Sequence, residues 1–450
     1  GCIAVSKKTF FEHDNEEIDS SFNGLYNFLS AHATPSVIAG NSLLVEVEPL
    51  LATLNIPKEP EEIPQDTRSL YDLTIVGPLH WADGLGRIGM CYYESLKKYL
   101  RINVINIPGG NNLNGLPDDL LHLHDLIKQN QSITPNNIAN TVITTGILWT
   151  GDANHLHQTD KQIGIIKRIK ALKDKDRTVL GVSMLESTKI PQQWVTCLNT
   201  YYDEVIVPSP FLVDVYKECG VSIPIKVIPL PIYGIERLLE KNIPTITKRP
   251  EEFVFGCLSG GWYRKGVEVV AEMFSKSFSI SEYPHVKLMI HCRFGDIEPM
   301  DKIRKLSSQD KRIIFSEGSI SEDALKTWKN KIHCFVLPSA GEGFSMPPRE
   351  MLAEGTPCLI SSGHAHQPIV DDEGAIGIDI IGTRPATYGY FGVLGREWVP
   401  DKYDMAKKMH DIYDNYLEYK KHVALNRTEL KKYMFSEWGK LYKNQIIERA

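Results

Sequence analysis

The sequence predicts an α/β chain made of two domains, each with a parallel sheet, facing each other across a cleft. Three observations predict it. Short, almost wholly apolar runs alternate with stretches of helical spacing, the pattern of parallel sheets buried on both faces. The alternation occurs twice, from Leu73 to Ile228 and from Phe253 to Ile360, around a proline-bearing stretch from Leu230 to Pro250. The length, 450 residues, also exceeds what one hydrophobic core usually organises.

Residues 1–70 stand apart from this pattern. They hold an acidic start (Glu12–Glu17), an expected short helix near Ser21–His32, an apolar patch at Leu43–Leu54 and a Pro- and Glu-rich connector at Pro57–Pro64. In the first domain, 71–235, strands are expected at Leu73–Gly77, Val104–Ile107, Val142–Leu148, Thr178–Ser183, Glu204–Val207 and Ile225–Ile228. Helical spacing runs over Met90–Leu100, Gln162–Ala171 and Phe211–Cys219. Leu230–Pro250, with little core pattern, reads as the linker. In the second domain, 250–430, strands are expected at Phe253–Cys257, Val286–His291, Arg312–Phe315, Cys334–Leu337 and Cys358–Ile360. Helices are expected at Gly266–Phe274, Glu322–Asn330 and Arg349–Glu354, and amphipathic stretches at Tyr403–Tyr419 and Glu429–Ile447.

Composition is that of an ordinary water-soluble chain, 42% hydrophobic and 24% charged. No run approaches the ~20 apolar residues that cross a bilayer, and no secretory signal is visible. A formal charge of -6 argues against a nucleic-acid partner. The cysteines at 2, 91, 197, 219, 257, 292, 334 and 358 form no CxxC and no zinc-finger spacing, so they read as small core residues in a reducing compartment, the cytoplasm. Gly1-Cys2 looks like a dual acylation start, although Ser6 falls one position late; this leaves peripheral membrane contact open.

The richest segment is Ser339–Ile360. Glu342 and Glu350 lie eight positions apart, Gly341 and Gly343 flank the first, Pro347-Pro348 stands between them, and Gly355-Thr356-Pro357 follows. The order reads strand, glycine turn, helix opening at the prolines, turn, strand. Such a turn and helix start present free N–H groups to an anion. Glu342 through Pro357 resemble the E-x7-E signature of retaining glycosyltransferases of the GT-B fold, family 4. The resemblance implies two Rossmann-like domains, with Glu342 near the transferred sugar and Glu350 on the donor ribose. It also implies that Gly343, Phe344 and Ser345 face the donor's phosphates and sugar, and that the last helix, about 432–450, crosses back onto the first domain.

Phe255–Gly266 carries a glycine loop, then Arg264-Lys265-Gly266 at a helix start. Amides and two cations there would surround a diphosphate. The resemblance places the phosphate-binding lysine at Lys265. Many relatives have an arginine near Ser259; here Arg264 or Arg293 would supply that charge, or none does. Asp83–Gly89 contains a literal G-x-G-x-x-G, but it stands six residues past Val76-Gly77 and no acid ends the next strand, against a dinucleotide fingerprint. In the resembling family a glycine loop here closes over the donor phosphates, a role matched by Gly84, Gly86 and Arg87. Met184-Leu185-Glu186 through Trp194 resembles an M-x-E-x-x-x-x-P-x-x-W segment of a family subgroup, making Glu186 a cleft carboxylate of catalytic or structural use. His364 and His366 read as loop histidines, since no partner is spaced to complete a metal site. Asp174-Lys175-Asp176 sits in a charged run and not at a strand end.

The resemblance implies a metal-independent, cofactor-free glycosyltransferase using a GDP- or UDP-sugar. Its acceptor, whether glycan, lipid, small molecule or protein, stays open. The rival readings are an NAD(P)-dependent oxidoreductase using the Gly84–Gly89 loop, a non-catalytic nucleotide-sugar binding module, and a phosphorylase or epimerase on the same fold.

Overall fold

The computed structural model describes residues 2–6, 37–39, 42–46, 70–79, 84–107, 116–123, 125–126, 133–145, 164–172, 176–388 and 391–447. Gly1–Thr67 and Arg68–Ala450 are separate units. In the first unit β1 (Cys2–Ser6), β2 (Val37–Ala39) and β3 (Ser42–Glu46) form an antiparallel sheet with β3 in the middle. The helix expected near Ser21–His32 lies outside the described residues, as does the Pro57–Pro64 connector.

The second unit contains two parallel six-stranded sheets. β4 (Leu73–Gly77), β5 (Ile102–Asn106), β6 (Thr141–Thr144), β7 (Thr178–Val182), β8 (Glu204–Val207) and β9 (Ile225–Val227) run in the order β5-β4-β6-β7-β8-β9. β10 (Phe253–Leu258), β11 (Val286–Cys292), β12 (Ile313–Glu317), β13 (Cys334–Leu337), β14 (Cys358–Ser361) and β15 (Ile376–Ile378) run β12-β11-β10-β13-β14-β15. Every pairing in both is parallel. The central strands β4, β6, β13 and β14 are buried along their whole length, which is why they read as mostly apolar runs broken only by Thr, Ser and Gly. The cysteines at 91, 197, 257, 292, 334 and 358 are buried free thiols.

Several elements differ from expectation. The first-domain helix runs Gly84–Leu96, six residues ahead of the apolar spacing at Met90. Gly84 is a poor helix former, yet a Cβ there would come within 3.1 Å of Met346 Cε, so the opening turn sits against the second domain. Residues 230–250 are not a bare linker. Leu230, Ile232 and Ile235 are buried, Ile235–Glu240 is helical, and the Ile232 amide bonds the Tyr433 carbonyl at 3.0 Å. The helix Ile297–Gln309 was not expected, because it buries just Pro299, Met300 and Ile303 in a polar sequence. Nor was the two-stranded antiparallel arm of β16 (Ile380–Tyr388) and β17 (Gly392–Pro400), whose first strand is mostly exposed and shows no alternation.

The last helix, Phe435–Ile447, lies on the first domain. Trp438 is fully buried, its ring 4.8 Å from that of Tyr92, and its indole donates to the Pro229 carbonyl at 2.6 Å. Gly439 permits the approach, since a Cβ would meet the Ser95 carbonyl oxygen at 2.0 Å.

Candidate functional site

In an open α/β sheet, ligands collect beyond the carboxyl ends of the strands where the strand order reverses. In the second sheet that place lies between β10 and β13. The segment after β10 carries Lys265 and the segment after β13 carries Glu342, so the topology itself brings these two together. Lys265 Nζ is 2.5 Å from Glu342 Oε1, with side-chain exposures of 16% and 8%. Gly266, at φ 63°, ends the turn that aims Lys265, and a Cβ there would come within 3.0 Å of the Pro338 carbonyl oxygen.

Burial pushes the Glu342 carboxyl up, but the charges of Lys265 and Arg264 outweigh it and hold its pKa at about 2. Burial pulls the Lys265 ammonium below its ordinary value, with Glu342 opposing. Because Glu342 is depressed from an ordinary 4.5, its contribution to stability is present above that value and lost as pH falls from 4.5 towards 2. Glu342→Gln is therefore expected to flatten the acid-unfolding curve between these values, read by circular dichroism. A variant curve that merely shifts, keeping the parent's slope, would show the pair is not what titrates.

Arg264 points the other way, across the cleft. Its guanidinium donates to the Gly341 carbonyl and, at 3.1 Å, to Glu186 of the first domain. Tyr388 of the arm lies 3.5 Å from the other Glu186 oxygen. Glu186 stands four residues past the end of β7, pressed against the turn: a Cβ on Gly341 would meet the Glu186 carbonyl oxygen at 2.0 Å. The arm binds both sides. Its Trp398 amide donates to Ala340 at 2.8 Å, and Arg396 and Thr188 exchange two hydrogen bonds of 3.0 and 2.9 Å. The second cation expected of Arg264 is thus engaged in holding the two domains together.

Between Glu342 and the helix Met346–Ala353 the chain turns through Gly343, Phe344 and Ser345, all buried. Among the described residues nothing bonds the amides of Glu342, Gly343 and Phe344. Pro347 and Pro348 remove two amides from the helix's first turn, so the turn, more than the helix end, supplies the N–H groups. Ser345 adopts φ 68°, a left-handed conformation that a non-glycine residue takes at a cost of ~1–3 kcal/mol. Its hydroxyl is held by His366 Nε2 at 2.9 Å. His366 Nδ1 meets Ser361 Oγ at 3.0 Å, and His364 Nε2 lies 3.1 Å from the Ser339 carbonyl.

The two histidines are therefore not surface loop residues. They are 3% and 0% exposed, beneath the Glu342 turn, and burial lowers both pKa values, that of His364 to about 4. Sequence reading missed this support because an SGHAH run gives no sign of burial. Among the described residues no group of three His, Cys, Asp or Glu side chains is placed to hold a metal ion.

Glu350, one turn along the helix, pairs with Lys329 at 2.5 Å and stays about one-fifth exposed. Ser259 directly follows β10, partly exposed beside the site. Arg293 follows the next strand, β11; it bonds Ser319 at 3.1 Å and lines a separate hollow of about 460 Å³ with Phe294 and Met300. Among the described residues no hydrogen bond joins it to Lys265 or Glu342. The expected phosphate loop at Gly84, Gly86 and Arg87 is instead the first turn of the Gly84–Leu96 helix, with Arg87 3.6 Å from Glu322 of the second domain. Gly84 faces Met346, so two helix starts oppose each other at the cleft. The preceding residues 80–83 lie outside the described set, as do Asp174 and Lys175.

The chain is similar to known proteins in part of its sequence and in its fold. Residues 252–381 match the family model described as glycosyl transferases group 1. The match covers that segment alone and marks it as similar to a group 1 glycosyltransferase domain. The match begins at β10, contains Lys265, Glu342 and Glu350, and ends at the root of the arm. No curated protein matches the chain in sequence. Among solved structures it resembles an α,α-trehalose-phosphate synthase from Burkholderia xenovorans, with a TM-score of 0.56, 11% identity, and 83% of this chain and 99% of that one covered. HepE of Anabaena, solved with UDP and glucose, gives a TM-score of 0.53, 13% identity and 83% and 98% coverage. TarM is matched at 14% identity and a TM-score of 0.46 over 64% of this chain, which spans about half of TarM (53%). The fold is GT-B, and the segment similar to the group 1 family lies in its second half. Among the described residues no helix is long and apolar enough to cross a membrane.

Proposed function

We propose that this chain is a glycosyltransferase that moves a sugar from a nucleotide-sugar donor to an acceptor hydroxyl, with retention of configuration. The observation that carries the reading is the Lys265–Glu342 pair at the strand-order reversal of the second sheet, beside a turn of unbonded amides. During transfer the bond from the anomeric carbon to the diphosphate oxygen breaks, and negative charge grows on the leaving diphosphate. In this reading Lys265 and the turn amides meet that charge, so no metal ion is asked for. Glu342 orients the sugar, and Glu350, steadied by Lys329, binds the ribose hydroxyls. Glu186, held by Arg264 and Tyr388, faces the acceptor side. Closure of the two domains keeps water from the donor.

The test is a thermal-shift panel of UDP, GDP, ADP and their glucose conjugates. A bound nucleotide raises the melting temperature by mass action. UDP is the first to try, since HepE is solved with UDP and with UDP-glucose. Glu350→Ala is expected to remove the shift given by the preferred nucleotide while the variant stays folded. A folded variant with the parent's full shift would refute the ribose assignment.

A further inference from the structure

Arg349 stands directly before Glu350 on the helix that follows the turn, yet it does not face the solvent. It is 2% exposed. Its guanidinium donates to the Phe344 carbonyl and, at 3.2 Å, to the Ser345 carbonyl. It lies over the Phe344 ring at 4.2 Å. On its far side Nε sits 2.9 Å from Glu373 Oε2, a carboxylate with no exposed side-chain surface. Tyr433, where the chain starts back towards the first domain, donates its hydroxyl to the same carboxylate, and Lys432 reaches it at 3.2 Å.

A carbonyl and the following amide belong to one rigid peptide plane and point opposite ways. Drawing the Phe344 and Ser345 carbonyls inward therefore fixes where the amides of Ser345 and Met346 point. It also holds Ser345 in its left-handed conformation, which the chain would not keep unaided. A buried guanidinium with planar, forked donors does this where a lysine ammonium would not.

We infer that Arg349 is a positioning residue for the donor site: anchored on Glu373, it grips the carbonyls of Phe344 and Ser345 and so presets the amide-lined turn after Glu342. This rests on the donor-site reading of that turn. Arg349 touches no reacting atom; it acts through the backbone. The Glu373–Tyr433 contact ties the same anchor to the crossover segment, and it serves as an internal control because it leaves the carbonyl grip intact.

Two variants separate positioning from bulk stability. In R349M/E373Q both buried charges go together, so neither is left unpaired and most of the stability lost in R349M alone should return. The turn should stay loose: hydrogen exchange in the 338–346 segment is expected to speed by about tenfold or more, and affinity for UDP or GDP to fall at least about tenfold. Y433F is expected to lower the melting temperature while leaving exchange in that segment and nucleotide affinity within about twofold of the parent. Parent-like exchange in R349M/E373Q, or equal loosening in Y433F, overturns the assignment whether or not a nucleotide binds. Loosening of the turn in R349M/E373Q, with a parent that binds none of UDP, GDP or ADP, would instead refute the donor-site reading alone.

Discussion

Lys265→Met is expected to abolish turnover and the thermal shift given by nucleotide. Two effects combine. The leaving diphosphate loses its buried cation, and loss of one such preorganised contact typically costs ~10²–10³ in rate. Glu342 is also left buried without its partner, at a cost of ~3–5 kcal/mol. The second effect is removable. In K265M/E342Q no charge is stranded, so the melting temperature should return most of the way to the parent's while turnover stays at background. Nucleotide release from UDP- and GDP-sugars, measured beside the melting curve, separates the two. A stable double variant that still binds nucleotide and turns over like the parent would remove the leaving-group role of Lys265.

Gly341→Ala is the second large effect. Its cause is space, because Gly341 does not adopt a left-handed conformation. An added methyl would stand 2.0 Å from the Glu186 carbonyl oxygen and 3.1 Å from its carbon, both backbone atoms of the other domain. Either the turn or the Glu186 segment must move. Overpacking of this kind costs ~1–3 kcal/mol, and a shift of about 1 Å between reacting groups costs ~10²-fold in rate. A loss of about two orders of magnitude in turnover, with a modest fall in melting temperature, is the expected result. Gly164→Ala, where nothing lies within 4 Å, is the matched control and should be near neutral in both. Parent-like turnover in Gly341→Ala would mean that the close approach of Glu186 to the turn does not matter to the reaction.

The parts of the fold legible in the sequence were those whose burial is symmetric. β4 and β13 are covered on both faces, so nearly every residue is apolar and the run is plain to read. The arm of β16 and β17 was illegible for the opposite reason. It is largely exposed, and its contacts with Ala340 and Thr188 run through backbone atoms and one threonine hydroxyl, which leave no pattern in composition. The opening turn of the Gly84–Leu96 helix was hidden by its glycines, whose place is set by Met346 across the cleft and not by helix propensity. Of the site, Lys265, Glu342 and Glu350 could be read because they occupy fixed places in a linear motif. Arg349, His366 and Tyr388 could not: an arginine beside a glutamate on a helix ordinarily reads as a solvated pair.

The sequence by itself determined the alternation of elements, the division into two sheets and the carboxylates and lysine available for chemistry, because periodicity and short-range turn chemistry are local properties of the chain. Only the tertiary structure decided which charges face which. The strand order 3-2-1-4-5-6 of the second sheet brings residues 77 positions apart to a 2.5 Å contact, and the crossing of the cleft gives Arg264 to Glu186 instead of leaving it free for an anion. Electrostatic pairing depends on distance through space, and distance along the chain does not contain it.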